Sequence, residues 1–170
     1  MSQYTFFENL QQLSTRKIHT TIENYLDELK YTQKNQNSNN NILLGATRTA
    51  YMLGLIDKST ASYYHLASYY KGIVEQDIFY YEYWKKHDII APLSMAEIKA
   101  LPAIKAKEMI DTYIVSILNA MGKINTSENL YYVINGVTEF AGFLKLLDYK
   151  EQAKYCSEAY VKDGTNFRHY

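Results

Sequence analysis

Three residue types that bend, interrupt or crosslink a chain are scarce in this sequence. Its 170 residues include one cysteine, two prolines and seven glycines. The single cysteine, Cys156, excludes an intramolecular disulfide and is typical of a reducing compartment. Proline and glycine are the residues least compatible with a helix interior, so their scarcity favours long helices.

The sequence also lacks net charge and a long apolar run. Lys plus Arg and Asp plus Glu each number 18, so no overall field attracts nucleic acid or an anionic membrane. The longest apolar stretch, residues 110–121, contains Asp111 and Asn119 and is too short to span a bilayer. Residues 1–10 show no basic segment followed by an apolar one, so we expect no secretory signal. The sequence therefore predicts a cytoplasmic protein without a membrane segment.

Motifs for several common chemistries are missing as well. The sequence has no phosphate-binding glycine loop, no Gly-x-Ser-x-Gly elbow and no paired cysteines for a metal. We therefore predict a protein that is not an enzyme, with no catalytic residue, no metal and no cofactor.

What the sequence does contain is an internal repeat. Residues 42–72 align without a gap on residues 133–163, which lie 91 positions further along the chain. Such self-similarity indicates a duplicated structural unit. The identical pairs are Gly45/Gly136, Thr47/Thr138, Ala50/Ala141, Leu53/Leu144, Leu55/Leu146, Asp57/Asp148, Tyr64/Tyr155, Tyr69/Tyr160 and Lys71/Lys162.

The repeated unit has the signals of an αα-hairpin. Gly54 lies where a left-handed residue ends one helix, and Asp57 or Ser59 is placed to cap the next helix. Asp148 repeats the capping position in the second copy.

The duplication extends to the helix before each hairpin. The apolar pattern of residues 18–29 recurs in residues 110–121, 92 positions later. We therefore predict a single all-α domain, residues 1–170, with about seven helices. It has two related halves, approximately 5–90 and 95–165, and each half is a long helix plus an αα-hairpin.

Local signals predict several helix boundaries. Thr5 with Glu8, and Ser94 with Glu97, both fit a capping box. Residues 33–41 contain no apolar side chain and are rich in asparagine, so we expect a flexible loop whose last residue, Asn41, caps the following helix.

Residues 74–86 leave two structures open. Their aromatic residues favour a strand by propensity, but the sequence offers a strand no partner, so we expect a helix.

The segment FLKLLDYKEQAKYCSEAY, residues 143–160, resembles the turn and second helix of a tetratricopeptide repeat. The spacing of 91 residues differs from the period of about 34 in that family. The resemblance therefore implies only stacked helical pairs, whose grooves bind other proteins.

Two alternative functions use the hairpin differently. Residues 42–72 can be read as a DNA-binding helix-turn-helix, although its second helix offers no arginine for contacting guanine. His65, with His87 and Asp88 and with Asp111 or Asp148, resembles the ligands of all-α metal-dependent phosphohydrolases.

Arg48 and His65 can also face each other across the hairpin. We interpret them as a surface arginine and a half-buried histidine rather than as a catalytic pair. In the second copy Glu139 replaces Arg48 and Cys156 replaces His65.

The remaining feature is a band rich in tyrosine. Neighbouring residues on a helix point about 100° apart, so adjacent tyrosines cannot all face the core. Tyrosine and tryptophan dominate the energetics of many protein interfaces. We therefore predict a protein-binding module that sequesters or regulates a macromolecular partner such as a toxin or nuclease, in the manner of an immunity protein, antitoxin or mobile-element inhibitor. The predicted binding residues are Tyr63, Tyr64, Tyr80, Tyr81, Tyr83 and Trp84.

Overall fold

The computed structural model describes residues 2–32, 37–67, 92–123 and 128–167. These ranges contain eight α-helices and no strand, which confirms the predicted all-α class. Residues 74–86, predicted to be helical, lie outside the described ranges. The helices are α1 Thr5–Gln12, α2 Thr15–Thr32, α3 Asn37–Met52, α4 Lys58–Ala67, α5 Met95–Ala100, α6 Ala103–Ala120, α7 Leu130–Phe143 and α8 Tyr149–Phe167.

Helices α3 and α7 form the centre of the fold. Residues 42–50 of α3 are all buried, and α7 buries residues on most of its circumference. A helix buried all round belongs to the core of a domain, because it has no face left for solvent. The contact between α3 and α7 is the most extensive between any two described helices.

Two glycines let these helices touch backbone to backbone. A Cβ built on Gly45 would lie 2.1 Å from the carbonyl oxygen of Val133, and one on Gly136 would lie 2.0 Å from that of Ile42. Gly45 and Gly136 are aligned in the repeat, as are Ile42 and Val133. Contacts that are exchanged in this way characterise a two-fold relation. The two related halves predicted from the sequence would produce such paired contacts.

The turn after α3 forms as the sequence predicts. Gly54 has a φ of 72°, in the left-handed region. Its amide donates to the carbonyl of Tyr51 at 3.0 Å, and the amide of Leu55 donates to that of Ala50 at 3.0 Å. These are the two hydrogen bonds of a Schellman motif, which satisfies carbonyls at a helix end.

The turn after α7 repeats this geometry with a lysine. Lys145 has a φ of 60°, and its amide donates to the carbonyl of Gly142 at 3.0 Å. The amide of Leu146 donates to the carbonyl of Ala141, also at 3.0 Å. Lysine has a Cβ that crowds the backbone in this region, so the second turn is strained where the first is relaxed.

The predicted caps of α4 and α8 are confirmed. Asp57 accepts from the amide of Thr60 at 2.8 Å, and Asp148 accepts from that of Glu151 at 2.7 Å. Ser94 and Glu97 likewise form the predicted capping box at α5.

Two predicted boundaries are wrong. Thr5 does not cap α1, because its hydroxyl donates to the carbonyl of Ser2 and Tyr4 takes the N-cap position. Helix α3 begins at Asn37, so residues 37–41 of the predicted loop are helical. Asn41 does not cap α3 and instead accepts from the amide of Asn129, the N-cap residue of α7.

The correspondence between α2 and α6 also differs from the predicted spacing. Both helices have 18 residues, and each follows an extended residue, Leu13 or Leu101. The amides of these residues donate to the carbonyls of Leu10 and Ile98. The matching positions are thus 88 apart rather than 92. A shift of four residues is about one helical turn, so an apolar pattern alone cannot separate the two.

No described helix is long and apolar enough to cross a bilayer.

Replacement of Gly136 by alanine should destabilise the fold, because the new Cβ would collide with backbone atoms of α3. We expect the free energy of unfolding to fall by about 3 kcal/mol. The matched control is Gly164→Ala in α8, where a Cβ meets nothing within 4 Å and alanine is the better helix former, so stability should rise by up to about 1 kcal/mol. Urea unfolding of both variants measures the difference, and equal changes would contradict the close approach of α3 and α7.

Candidate functional site

Two of the six predicted binding residues, Tyr63 and Tyr64, lie in the described part of the chain, on α4. Tyr80, Tyr81, Tyr83 and Trp84 lie outside it. Tyr63 is 53% exposed, whereas Tyr64 is 3% exposed. Their rings meet edge to face with centroids 5.0 Å apart. One of the two tyrosines therefore faces solvent and the other faces the core.

Hydrogen bonds of Tyr64 connect α4 to α2. Its hydroxyl donates to Asp27 Oδ1 at 2.5 Å and lies 3.2 Å from the carbonyl oxygen of Glu23. Burial, together with the hydrogen bond to Asp27, raises the pKa of Tyr64 well above its usual value. Its side chain is enclosed by the protein, so the structure gives Tyr64 a role in packing rather than on a binding surface.

Tyr63 is held in place at the surface. Lys30 Nζ donates to the Tyr63 hydroxyl at 2.6 Å, while the Tyr64 ring supports the Tyr63 ring from the side. Tyr31, the residue after Lys30, is also exposed. The surface formed by Lys30 and Tyr63, called here the Tyr63 surface, combines an exposed aromatic ring with a fixed orientation.

A second group of aromatics, in which Tyr160 is exposed and Tyr131 and Tyr132 are half-buried, was not predicted as a surface. The Tyr131 ring lies 5.1 Å from that of Tyr132 and 6.0 Å from that of Tyr160. Tyr160 is 67% exposed and the adjacent Val161 is 65% exposed. Tyr160 is one of the residues that recur in the repeat, and this recurrence indicates only that it belongs to the duplicated structural unit. Val161 could have indicated this surface from the sequence, because an apolar residue outside the buried stripe of a helix indicates an exposed apolar surface.

A bidentate ion pair lies inside the core of the described chain. Arg48, on α3, donates from Nη1 and Nη2 to the two carboxylate oxygens of Glu128, both at 2.7 Å. Arg48 is 3% exposed and Glu128 is 7% exposed. The planar guanidinium matches a carboxylate in this two-bond geometry, which gives the strongest protein ion pairs.

His65 and Tyr113 complete this buried cluster. His65 Nε2 lies 3.5 Å from Arg48 Nη2, and both His65 and Tyr113 are buried. Burial, together with the positive charge of Arg48, lowers the pKa of His65 to about 3. Burial raises the pKa of Tyr113 to about 12, against the opposing effect of Arg48. The imidazole and the phenol are therefore neutral near pH 7.

The interpretation of Arg48 as a surface residue is wrong. Its burial depends on Glu128, which lies 80 positions away in the sequence. No local sequence pattern indicates such a distant partner. The second copy has no such cluster, since Glu139 replaces Arg48 there. Cys156, in the place of His65, lies 3.4 Å from the hydroxyl oxygen of Thr138.

The residues of the alternative functions do not come together in the described ranges. His65 is buried against Arg48, which removes both side chains from any DNA-facing surface of the hairpin. Asp111 bonds to Lys107 and Tyr155, and Asp148 caps α8. His87 and Asp88 lie outside the described residues. Within those ranges, no group of three or more His, Cys, Asp and Glu side chains is placed to hold a metal ion.

The depressed pKa of His65 should make stability depend on pH. The unfolded chain takes up a proton near pH 6.5, whereas the folded protein does so only near pH 3. Stability is therefore full above pH 6.5 and falls on acidification. Between pH 7.5 and 5.0, urea unfolding should show the wild type losing about 2 kcal/mol more than His65→Gln, whose amide keeps an acceptor for Arg48. Equal losses in both proteins would contradict a buried neutral imidazole.

No protein-family model, curated protein or solved structure matches this chain.

Proposed function

We propose that this protein is a non-enzymatic, cytoplasmic protein-binding module that sequesters or regulates a macromolecular partner. The observation that carries the proposal is the Tyr63 surface, where an aromatic ring is exposed and yet fixed by Lys30 and Tyr64. A partner such as a toxin or nuclease would dock its own apolar surface there.

The chemistry of tyrosine supports this assignment. A tyrosine offers a large apolar face and a polar tip, and it has few rotatable bonds to immobilise on binding. The hydrogen bond from Lys30 orients the Tyr63 ring before the partner arrives, which reduces the entropic cost of association. The balanced charge of the chain further favours recognition by shape and aromatic contact over recognition by net charge.

The type of partner is inferred from the class of protein. In this small helical chain the buried Arg48 and Glu128 form an ion pair with each other. Such a chain suits an inhibitor that acts by covering its target. Immunity proteins, antitoxins and inhibitors from mobile elements act in this way. Tyr80, Tyr81, Tyr83 and Trp84 are the other predicted binding residues, and they lie outside the described residues.

Tyr63→Ala should weaken partner capture without unfolding the protein, because this ring is exposed and Tyr64 keeps its anchor to Asp27. We expect affinity to fall about tenfold or more, as for truncation of an interface hot spot. Tyr80→Ala with Tyr81→Ala should weaken capture in the same way.

The matched control is Tyr149→Ala, another exposed tyrosine, on α8. Capture from a nuclease-treated lysate of the native host, followed by titration of the purified partner, measures the effect. Retention of full affinity by Tyr63→Ala and by the Tyr80 and Tyr81 double variant would contradict the proposal. Loss of capture on nuclease treatment would point to nucleic acid instead.

A further inference from the structure

The relation between the two halves places Glu139 beside a tyrosine, as it does Arg48. Tyr25 on α2 and Tyr113 on α6 are 88 positions apart, the spacing that relates these two helices. Tyr113 belongs to the buried cluster and is hydrogen-bonded to Arg48. Burial raises the pKa of Tyr25, and the negative charge of nearby Glu139 contributes to the same shift. The second half therefore carries a carboxylate where the first half carries the guanidinium group.

Glu139 differs from Arg48 in having no described partner of opposite charge. Arg48 is paired with Glu128, whereas Glu139 makes no hydrogen bond or ion pair to any residue of the described ranges. Although Glu139 is open to solvent on one side, partial burial raises the pKa of its carboxyl group. Glu28, three residues after Tyr25 on α2, also acts on the Tyr25 hydroxyl. Both charges that act on Tyr25 are negative, so a cation placed there would be attracted by each of them.

Aromatic rings border this carboxylate. Glu139 and Phe143 are four residues apart on α7, so they share one face of the helix. The Phe143 ring lies against that of Tyr25 with centroids 4.6 Å apart, and it meets the Phe6 ring edge to face at 5.7 Å. Phe6 is 40% exposed, while Tyr25 and Phe143 are half-buried. These four residues, called here the Glu139 surface, combine a carboxylate with accessible aromatic area.

We propose that the Glu139 surface binds an arginine side chain of a protein partner, with the guanidinium group paired to the Glu139 carboxylate and packed against the aromatic rings. A guanidinium group forms two parallel hydrogen bonds with a carboxylate and also stacks on aromatic faces, whereas a lysine ammonium group is a compact, strongly hydrated charge. The partner would supply from outside the kind of ion pair that Arg48 and Glu128 form inside the first half. The inference rests on the proposed function for the partner being a protein, and it uses other residues than the Tyr63 surface.

Titration of the purified full chain with Nα-acetylarginine amide tests the surface, with the ring signals of Phe6 and Phe143 followed by NMR. We expect these signals to shift and to saturate. Nα-acetylcitrulline amide has nearly the same shape without the charge, so it should bind about tenfold more weakly or worse. Equal binding of the citrulline derivative, or the absence of a saturable shift with the arginine derivative, would overturn the proposal. Equal or tighter binding of Nα-acetyllysine amide would overturn the assignment to arginine.

Glu139→Gln should reduce the affinity for Nα-acetylarginine amide about tenfold or more, because the amide keeps the shape and loses the charge. The matched control is Glu158→Gln, another exposed glutamate, on α8, which should leave the affinity unchanged. Unchanged affinity in Glu139→Gln would overturn the proposal. The comparison of the arginine and citrulline derivatives on the wild-type protein decides the question even if Glu139→Gln does not fold.

The test also separates this site from the proposed function and from self-association. The titrations need no partner, so their failure would overturn this site alone, whereas full capture by Tyr63→Ala and the Tyr80 and Tyr81 double variant bears on the proposed function alone. A dimer of the purified chain that dissociates in Glu139→Gln, measured by sedimentation, would overturn the proposal in favour of a second copy.

Discussion

The ion pair between Arg48 and Glu128 is the interaction on which the rest of this structure depends. Moving either charge from water into the core costs several kcal/mol, and only a partner in good geometry offsets that cost. The two 2.7 Å bonds supply this geometry. They join Arg48, in the C-terminal half of α3, to the residue that precedes the N-cap of α7, so the pair fixes the two central helices against each other. Burial lowers the pKa of His65, and this neighbouring positive charge contributes to the same shift, so the imidazole stays neutral.

The close contact of α3 and α7 acts together with the ion pair. Gly45 lies one turn before Arg48 on α3, so the backbone contact and the charged contact belong to one interface. The glycines set how near the helices come, and the bidentate pair selects one arrangement of them. The two hairpins have the same geometry. Their surfaces therefore differ through the residues that are not identical in the repeat, above all Lys145 and Tyr63.

Features set by neighbouring residues could be predicted from the sequence, and features set by distant ones could not. Gly54, Asp57 and Ser94 act within one turn of the chain, so their roles follow from residue type and position. The left-handed turn at Lys145 carries no glycine, and only its alignment with Gly54 marks it. Arg48 pairs with a carboxylate 80 positions away, and Tyr64 bonds to Asp27 on another helix. The residues next to Arg48 and Tyr64 in the sequence therefore do not indicate that these side chains are buried. The aromatic surface was expected from composition, but which tyrosine faces solvent depends on packing.

A double-mutant cycle on Arg48 and Glu128 tests the central claim most directly. Arg48→Met and Glu128→Leu each leave one buried charge without its counter-ion, so we expect each to lower the free energy of unfolding by about 3–5 kcal/mol. The double variant removes both charges and should lose at least about 2 kcal/mol less than the sum of the two single losses. Losses that add within about 0.5 kcal/mol would contradict the ion pair as the interaction that organises the core.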